Sequence, residues 1–392
     1  MLMDLSILQQ KFVSIFEKEP EASFFAPGRV NLIGEHIDYN GGLVFPCAIT
    51  LGTYAAVSKR ADQLFRVYSL NFESLGVIEF SLEDLTYNKS HNWCNYLKGV
   101  IKYLLEAGHS INTGLDIAVF GNIPNGSGLS SSASLEMLIC KICSTMYAFS
   151  LESMEAALLG KKVENHYIGV NSGIMDQAAI ALGQKNHALL LDCNTLDYKI
   201  IPFELEGYSI VIMNTNKRRE LADSKYNERR AECESALAKL QPGFDIKALC
   251  DLTEEDLEKA EALIGHPIEF KRVRHAVTEN TRVLAATKAL QANDLVTFGK
   301  LLNASHISLK SDYEVTGIEL DTLVAAAWEE EGALGARMTG AGFGGCAISV
   351  VANDKTTSFI ENVNRKYKDA IGYEASFYIA SIGNGPTQIH SL

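Results

Sequence analysis

The amino-acid sequence predicts an α+β fold, in which strand-rich and helix-rich regions are separated along the chain rather than alternating regularly. Short apolar and β-branched runs, such as ASFFAP and LFRVYSL, fill much of the first 205 residues. Residues 217–331, by contrast, are rich in charge and show helical periodicity, as in NERRAECESALAKL. We therefore expect two domains, residues 1–205 and 206–392, with a boundary near residue 205.

The first domain is expected to begin with a helix over residues 3–18, which places Leu5, Leu8, Phe12 and Phe16 on one side. Four strands separated by turns follow, in ASFFAP, GLVFPCAI, GTYAAVSKR and LFRVYSL. A helix over 92–107 ends at Gly108, and the strand GLDIAVFGN comes next. Helices over 130–147 and 151–169, a loop over GVNSGIMDQAAIALG and the strand HALLLDC complete this half.

The second domain is expected to start with the strand YSIVIMN and to continue through the helical region. A strand–loop–strand unit, GALGARMTGAGFGGCAISVVA, then precedes a helix and the final strands.

Composition limits the classes of function. The formal net charge of −13 argues against a general affinity for nucleic acid or anionic membranes. No apolar run approaches the roughly 20 residues of a membrane span, and Asp4 lies where a signal peptide would carry positive charge. We expect a cytoplasmic protein. The CxxC pair Cys140 and Cys143 lies on a predicted helix without a second ligand pair, which favours buried thiols over a metal site.

A glycine- and serine-rich loop joins a predicted strand to a predicted helix in NIPNGSGLSSSASLEMLICKIC, residues 122–143. The first turn of a helix carries unpaired N–H groups and partial positive charge, and glycines let a ligand approach the backbone. The loop can therefore hold a phosphate group. It lacks the Walker lysine and the GxGxxG spacing. An ordinary turn followed by a serine N-cap is the structural alternative.

Two further segments concentrate polar chemistry. APGRVNLIGEHIDYNGG, residues 26–42, places Arg29, Glu35, His36 and Asp38 among apolar residues, a set that suits a polyhydroxyl ligand. A polar turn with an internal Arg–carboxylate pair is the alternative, and the spacing does not favour a metal site. RMTGAGFGGC, residues 337–346, contains four glycines between two strands, so its backbone must approach something closely, which favours contact with a ligand.

Together the three segments resemble the GHMP small-molecule kinases. Pro124 to Ala133 matches their Pro-x3-Gly-Leu-x-Ser-Ser-Ala phosphate loop, and MTGAGFGGC is similar to their third motif. GRVNLIGEHIDYNGG is similar to the signature of the galactokinases within that family. The resemblance implies transfer of the γ-phosphoryl group of ATP to the anomeric hydroxyl of galactose. It also implies an N-terminal domain like domain 2 of ribosomal protein S5 and a ferredoxin-like C-terminal domain, with the active site between them.

The resemblance also implies roles for individual residues. Arg29 and Asp176, the latter in NSGIMDQ, would form the catalytic pair. Glu164 and a loop serine, either Ser131 or Ser132, would bind Mg²⁺. Sugar-binding residues would be Glu35, His36, Ile37, Asp38 and Tyr226, and nucleotide-binding residues would be Ser69, Gly126, Ser127, Gly128, Leu129, Ser130, Ser131 and Ser132.

Asp176 beside an arginine should be ionised and a weak base, so we expect it to orient the sugar hydroxyl and accept its proton late. A purely structural Arg29–Asp176 pair is the alternative. The expected partners are galactose and ATP, with neither nucleic acid nor membrane, for a monomeric protein. Two other functions stay open, a kinase for a related sugar and a galactose sensor. The presence of all the serines at 130–132 and 134 favours catalysis, and the glycine pattern excludes a dinucleotide-dependent oxidoreductase.

Overall fold

The structure is a computed structural model that describes residues 5–124, 128–217 and 222–389. Its elements up to residue 202 are α1 (Leu5–Phe16), β1 (Ala22–Asn31), β2 (Leu43–Val44), β3 (Pro46–Lys59), β4 (Leu64–Ser69), β5 (Ile78–Ser81), α2 (Cys94–Glu106), β6 (Leu115–Gly121), α3 (Ser131–Met146), α4 (Ser153–Lys162), α5 (Met175–Ala181), β7 (His187–Asp192) and β8 (Tyr198–Pro202). A π-helical segment, Val163–Ile168, extends α4.

The remaining elements are β9 (Tyr208–Asn214), α6 (Ala222–Leu240), α7 (Leu257–Ile264), α8 (Pro267–Gln291), α9 (Leu295–Ser308), α10 (Gly317–Trp328), β10 (Ala333–Thr339), β11 (Cys346–Ala352), α11 (Thr356–Ile371), β12 (Ser376–Ala380) and β13 (Thr387–Ile389). A second π-helical segment, Leu309–Tyr313, extends α9. The predicted change to a helical region and the strand–loop–strand unit at 333–352 are both confirmed.

A six-stranded sheet with the order β13-β1-β3-β6-β4-β5 forms the framework of the first half. Helices α2 and α3 cover one face and bury an apolar core that includes Phe24, Val57, Leu97 and Leu138. Helix α1 covers strands β3, β4 and β6 on another face through the apolar stripe that the sequence predicted. The register between β1 and β3 shifts between Pro27 and Arg29, so Arg29 pairs with β3 directly after an irregularity in the strand.

Strand β3 corrects one prediction, because GLVFPCAI and GTYAAVSKR do not form two strands separated by a turn. The second half of GLVFPCAI and all but the last residue of GTYAAVSKR belong to one strand of 14 residues, and Gly52 lies in its middle. A Cβ atom at Gly52 would lie 2.1 Å from the Ala26 carbonyl oxygen and 2.5 Å from the Phe25 ring. The glycine therefore permits close contact with β1 rather than a turn.

Helix α5 corrects a second prediction, since residues 175–181 lie within the segment expected to be a loop. The helix has only seven residues and its apolar positions are nearly continuous, which hides the helical period. Strand β8 was also missed. Three of its five residues are exposed or polar, and it pairs only with β7 at the edge of a three-stranded sheet, β2-β7-β8.

The second half contains an antiparallel sheet with the order β10-β11-β9-β12. Its helices include α8, which is 25 residues long and extends to the segment after β1. Strand β13 returns to the first sheet and pairs with β1. The predicted boundary near residue 205 falls between β8 and β9 and stays a prediction.

Candidate active site

The three segments singled out in the sequence meet around one cavity of ≈ 550 Å³. We call residues 34–38 the acidic turn, residues 124–133 the glycine–serine loop and residues 340–345 the glycine-rich loop. The cavity is lined by Arg29, Glu35, His36, Asp38, Tyr96, Gly128, Ser130, Ser131, Ser132, Glu164, Val170, Ser172, Gly173, Met175, Asp176, Tyr226, Gly340 and Ala341.

Arg29 and Asp176 form a close pair in the wall of this cavity. The Nε of Arg29 donates to Oδ1 of Asp176 over 2.9 Å, and Nη2 lies 2.7 Å from the same oxygen. Nη1 donates to the carbonyl oxygen of Gly128 over 2.7 Å, and the backbone N–H of Arg29 donates to Leu129 over 3.3 Å. The guanidinium therefore links the carboxylate to the backbone of the glycine–serine loop.

Ser130 binds the other oxygen of the same carboxylate. Its hydroxyl donates to Oδ2 of Asp176 over 2.5 Å, from a left-handed backbone with φ of 62°. The serine N-cap considered as an alternative is not formed by this residue, because its side chain makes no capping bond to α3. Asp176 is thus held at both oxygens, and the hydroxyl of Ser130 is committed to the cavity wall.

Ser132 and Glu164 form a second pair beside the first. The Ser132 hydroxyl donates to Oε1 of Glu164 over 2.8 Å. Glu164 lies in the π-helical segment and is 8 % exposed, and burial raises its pKa above the usual value for a glutamate. The described residues contain no cluster of three or more His, Cys, Asp or Glu side chains suited to a metal ion. A cation here would therefore need ligand oxygens in addition to this pair.

A smaller cavity of ≈ 190 Å³ shares part of its lining with the larger one. Ser131, Ser132 and Tyr96 line both cavities. The predicted nucleotide residue Ser69 lines only the smaller one, where it is 3 % exposed. Aromatic residues that the sequence analysis did not single out complete this wall; they are Phe72, Trp93 and Tyr96.

The acidic turn places two carboxylates in the larger cavity. Glu35 is 2 % exposed and accepts from Nη2 of Arg337 over 2.7 Å. Burial raises the pKa of Glu35, although Arg337 and Arg29 oppose the change. Burial also raises the pKa of Asp38 to about 7, and the carboxylates of Asp176 and Glu35 add to that rise.

His36 is part of the same turn, and both of its ring nitrogens are bonded to the protein. Nε2 lies 3.1 Å from the carbonyl oxygen of Ala341, so this nitrogen carries the proton. Nδ1 accepts from the hydroxyl of Tyr39 over 2.8 Å. Burial lowers the pKa of His36 to about 3, which keeps the ring neutral. Its φ of 61° is a left-handed conformation that costs a non-glycine residue about 1–2 kcal/mol.

Tyr226 and Ile37 complete the predicted sugar-binding set, and the structure places them differently. The Tyr226 ring lines the cavity and lies 5.7 Å from the His36 ring, centroid to centroid. The Ile37 side chain is 0 % exposed in the core and does not line the cavity. An apolar side chain in this turn is stabilised by burial rather than by contact with a polar ligand.

The glycine-rich loop lines the cavity, but its close approaches are to protein. A Cβ at Gly340 would lie 2.9 Å from the Gly128 carbonyl oxygen, and one at Gly342 would lie 2.3 Å from the Val315 carbonyl oxygen. The sequence analysis favoured contact with a ligand for these glycines. The structure shows instead that at least two of them let this loop pack against neighbouring backbone.

Three predicted residues contribute little or lie outside the description. Leu129 is 1 % exposed and takes part through its carbonyl oxygen. Gly126 and Ser127 lie outside the described residues. The thiols of Cys140 and Cys143 are buried, as expected, and burial raises the pKa of Cys143 to about 12.

Sequence reasoning missed two residues that shape the acidic turn. Arg337 is 0 % exposed and also donates to the carbonyl oxygens of Asn31 and Leu32. A charged residue inside the apolar strand β10 was a signal that could have revealed it. Gly173 is the second, because a Cβ there would lie 1.9 Å from Oδ2 of Asp38. No sequence pattern signals that contact.

Comparisons with known proteins point to the same family along the whole chain. Residues 10–59 match the galactokinase galactose-binding signature, residues 95–184 the GHMP kinases N-terminal domain and residues 286–369 the GHMP kinases C-terminal domain. A galactokinase of Clostridium perfringens is 61 % identical over 387 residues, which are 99 % of this chain and 100 % of that protein. One from Streptococcus suis is 58 % identical and covers 98 % of each chain.

Solved structures give the same result for the fold. The crystal structure of Lactococcus lactis galactokinase complexed with galactose matches with a TM-score of 0.95 at 51 % identity, over 98 % of this chain and 100 % of that chain. Methanococcus jannaschii mevalonate kinase matches with a TM-score of 0.68 at 22 % identity, over 92 % and 98 %. The predicted two-domain α+β architecture is confirmed.

Proposed function

The chain belongs to the galactokinase family of the GHMP kinases, and we propose that it transfers the γ-phosphoryl group of ATP to the anomeric hydroxyl of α-D-galactose. The products are galactose 1-phosphate and ADP, the first committed step of galactose catabolism. The observation that carries the proposal is that Ser131 and Ser132, at the start of α3, line both cavities. A triphosphate along this helix start would extend from the smaller cavity to Asp176 in the larger one.

Asp176 receives the role of orienting the sugar hydroxyl. Arg29 on Oδ1 and Ser130 on Oδ2 prevent rotation of the carboxylate, so its remaining lone pairs point in fixed directions. Phosphoryl transfer depends mainly on positioning and on charge stabilisation, and the proton can be accepted late. Arg29 supplies positive charge for the transferring group in a chain whose phosphate loop has no Walker lysine.

The sugar is assigned to the acidic turn. Carboxylate oxygens of Glu35 and Asp38 accept hydrogen bonds from hydroxyl groups, and the Tyr226 hydroxyl can donate or accept. His36 is neutral and bonded at both nitrogens, so it offers its ring face unless one of those bonds is exchanged. A sugar with one inverted hydroxyl leaves a buried acceptor unpaired, which provides discrimination against glucose.

Mg²⁺ with ATP is the proposed cofactor. Ser132 and Glu164 offer hard oxygen ligands, and in the described part of the chain no ion pair with Lys or Arg involves Glu164. Mg²⁺ is commonly held by one or two carboxylates together with substrate phosphates, which fits so small a set. When bound, the ion would neutralise part of the negative charge of the phosphates. Ser132 rather than Ser131 is favoured as the ligand, because its hydroxyl already bonds Glu164.

The nucleoside is assigned to the smaller cavity. Its aromatic lining from Phe72, Trp93 and Tyr96 suits a flat purine ring, and Ser69 adds a polar group.

We also propose that the protein acts as a monomer in the cytoplasm. Among the described residues no helix is both long and apolar enough to span a bilayer. Light scattering that gives a mass near 42.9 kDa would support the monomer, and twice that mass would refute it.

A coupled ADP-release assay with ATP and Mg²⁺ tests the function. The sugar panel is galactose, glucose, N-acetylgalactosamine, arabinose and mevalonate. Turnover confined to galactose supports the proposal. Turnover with another member identifies a related sugar kinase, and galactose-dependent thermal stabilisation without turnover identifies a sensor.

A further inference from the structure

A buried carboxylate on helix α8 contacts the backbone of the acidic turn from outside the cavity. Oε1 of Glu279 accepts from the backbone N–H of Gly34 over 3.0 Å and of Glu35 over 3.4 Å. The same oxygen accepts from the hydroxyl of Ser305 over 2.6 Å, and Oε2 accepts from Nε of Arg282 over 2.7 Å. Glu279 is 0 % exposed and does not line the cavity.

Glu279 is held in its ionised form. Burial alone would raise its pKa, but Arg282 and the other nearby cationic groups outweigh burial, and the pKa falls to about 2. An ionised carboxylate can only accept hydrogen bonds. The two amide groups of the turn therefore face a fixed acceptor, and hydrogen bonds to a charged group are the stronger kind.

The turn needs such support, because its backbone is not in a regular structure. Gly34 has φ of 97° and His36 has φ of 61°. Helix α8 also supplies His275, whose Nε2 donates to the Glu35 carbonyl oxygen over 3.0 Å. The backbone N–H and the carbonyl of Glu35 are thus both held by one helix, about 240 residues away in sequence.

We infer that Glu279 is a positioning residue for the sugar site, because it fixes the backbone from which Glu35 and His36 reach the cavity. The inference rests on the proposed function, since it concerns the same site. Glu279 acts on the sugar only through the turn. Its loss should therefore raise the galactose KM and leave the ATP KM unchanged.

The main test is steady-state kinetics of Glu279→Gln, with thermal melts with and without galactose. Gln keeps the length of the side chain but puts an NH₂ group where one carboxylate oxygen accepts, so one donor of the set loses its partner. We expect the galactose KM to rise about tenfold, as for a lost hydrogen bond to a charged group, with the ATP KM within about twofold. The galactose-induced rise in Tm should shrink in parallel.

Asp116→Asn is the matched control. Asp116 is also 0 % exposed and ionically bonded, to Lys18, Arg60 and Arg66, but it lines neither cavity. We expect it to lower Tm without changing the galactose KM. If Glu279→Gln behaves in the same way, its role is structural and the inference is overturned.

Ser305→Ala keeps the experiment decisive if Glu279→Gln does not fold. This variant removes one donor to Oε1 and leaves the carboxylate and Arg282 in place. A rise of about threefold in the galactose KM supports the inference, and an unchanged KM overturns it. Wild-type protein that does not phosphorylate galactose would refute the proposed function instead, so the two failures are distinguishable.

Discussion

The two sides of the active site are held together in different ways. On the phosphate side, Arg29 and Ser130 both bond Asp176 directly in the cavity wall. On the sugar side, the acidic turn is supported from behind by buried residues of the second half, above all Glu279 and Arg337.

This difference indicates how each side should respond to mutation. Where functional residues support one another, substituting any one of them acts directly on the chemical step. Where functional residues are held by separate buried residues, a substitution in those buried residues can displace them while the functional side chains stay unchanged. We therefore expect phosphate-side variants to change kcat and sugar-side variants to change the galactose KM.

Arg29→Ala should have the largest effect. The guanidinium contacts both Asp176 and the carbonyl oxygen of Gly128, so its loss removes charge and positioning together. We expect kcat to fall by about 10³–10⁵, with a far smaller change in ATP affinity. Steady-state kinetics measures kcat, and titration calorimetry with nucleotide measures the ATP affinity. Arg66→Ala, which breaks the ion pair with Asp116 and the contact with the Phe16 ring, is the control. A loss of stability alone would establish the purely structural pair.

Asp176→Asn should have the second-largest effect. The amide keeps the shape of the side chain but cannot accept a proton, so kcat should fall by about 10²–10⁴ while galactose binding by calorimetry changes little. Asp192→Asn, at the end of β7, where the carboxylate accepts from the backbone N–H groups of Asn194 and Thr195, should leave both unchanged. Rates near wild type would remove Asp176 from the catalytic pair.

Gly173→Ala tests the sugar side by steric means. The added methyl group would lie 1.9 Å from Oδ2 of Asp38, so this carboxylate must move. We expect the galactose KM to rise about tenfold or more, with a smaller change in kcat. Gly169→Ala is the control in the same loop, because its Cβ meets nothing within 4 Å and the variant adds only the strain of a left-handed backbone at φ of 88°. An effect on kcat alone would break the proposed separation between the two sides.

The pH dependence of galactose binding should be the smallest effect. With a pKa of about 7, Asp38 gains its full capacity to accept hydrogen bonds as the pH rises from 6 to 8, so the galactose Kd should fall over this range. The folded state holds this proton at pH values where the unfolded state has lost it. Asp38 therefore makes unfolding easier as the pH rises from about 4 to 7.

Calorimetric titrations at several pH values, compared with Asp38→Asn, measure this effect. The variant should bind galactose with little dependence on pH. A wild-type Kd that is flat between pH 6 and 8 would show that Asp38 does not titrate in this window.

Local sequence predicted the side chains that line the active site better than it predicted their supports. The motifs placed Arg29, Glu35 and Asp38 at one cavity with Ser130 and Asp176, because each motif is a short segment with its own turn chemistry. Their roles stay predictions.

The residues that support these side chains could not be found in the same way. Glu279 and Arg337 act over separations of about 245 and 302 residues. The charged residues of helix α8 give no sign of what its buried face contacts, and a charge within the apolar strand β10 signals an unusual residue but not its partner. Apolar patterning also failed for α5 and within β3. There a short buried helix and a strand with a central glycine have no distinctive period.

The long separation between Glu35 and Arg337 also determines the order in which the parts of the active site can form during protein synthesis. A ribosome that has released the first 200 residues has released Arg29, Ser130 and Asp176, yet not one of the buried groups that hold Glu35. Domains generally fold as units from the N-terminus during synthesis. A nascent chain can therefore assemble its nucleotide-facing wall early, but it becomes able to select a sugar only after residue 337 has emerged.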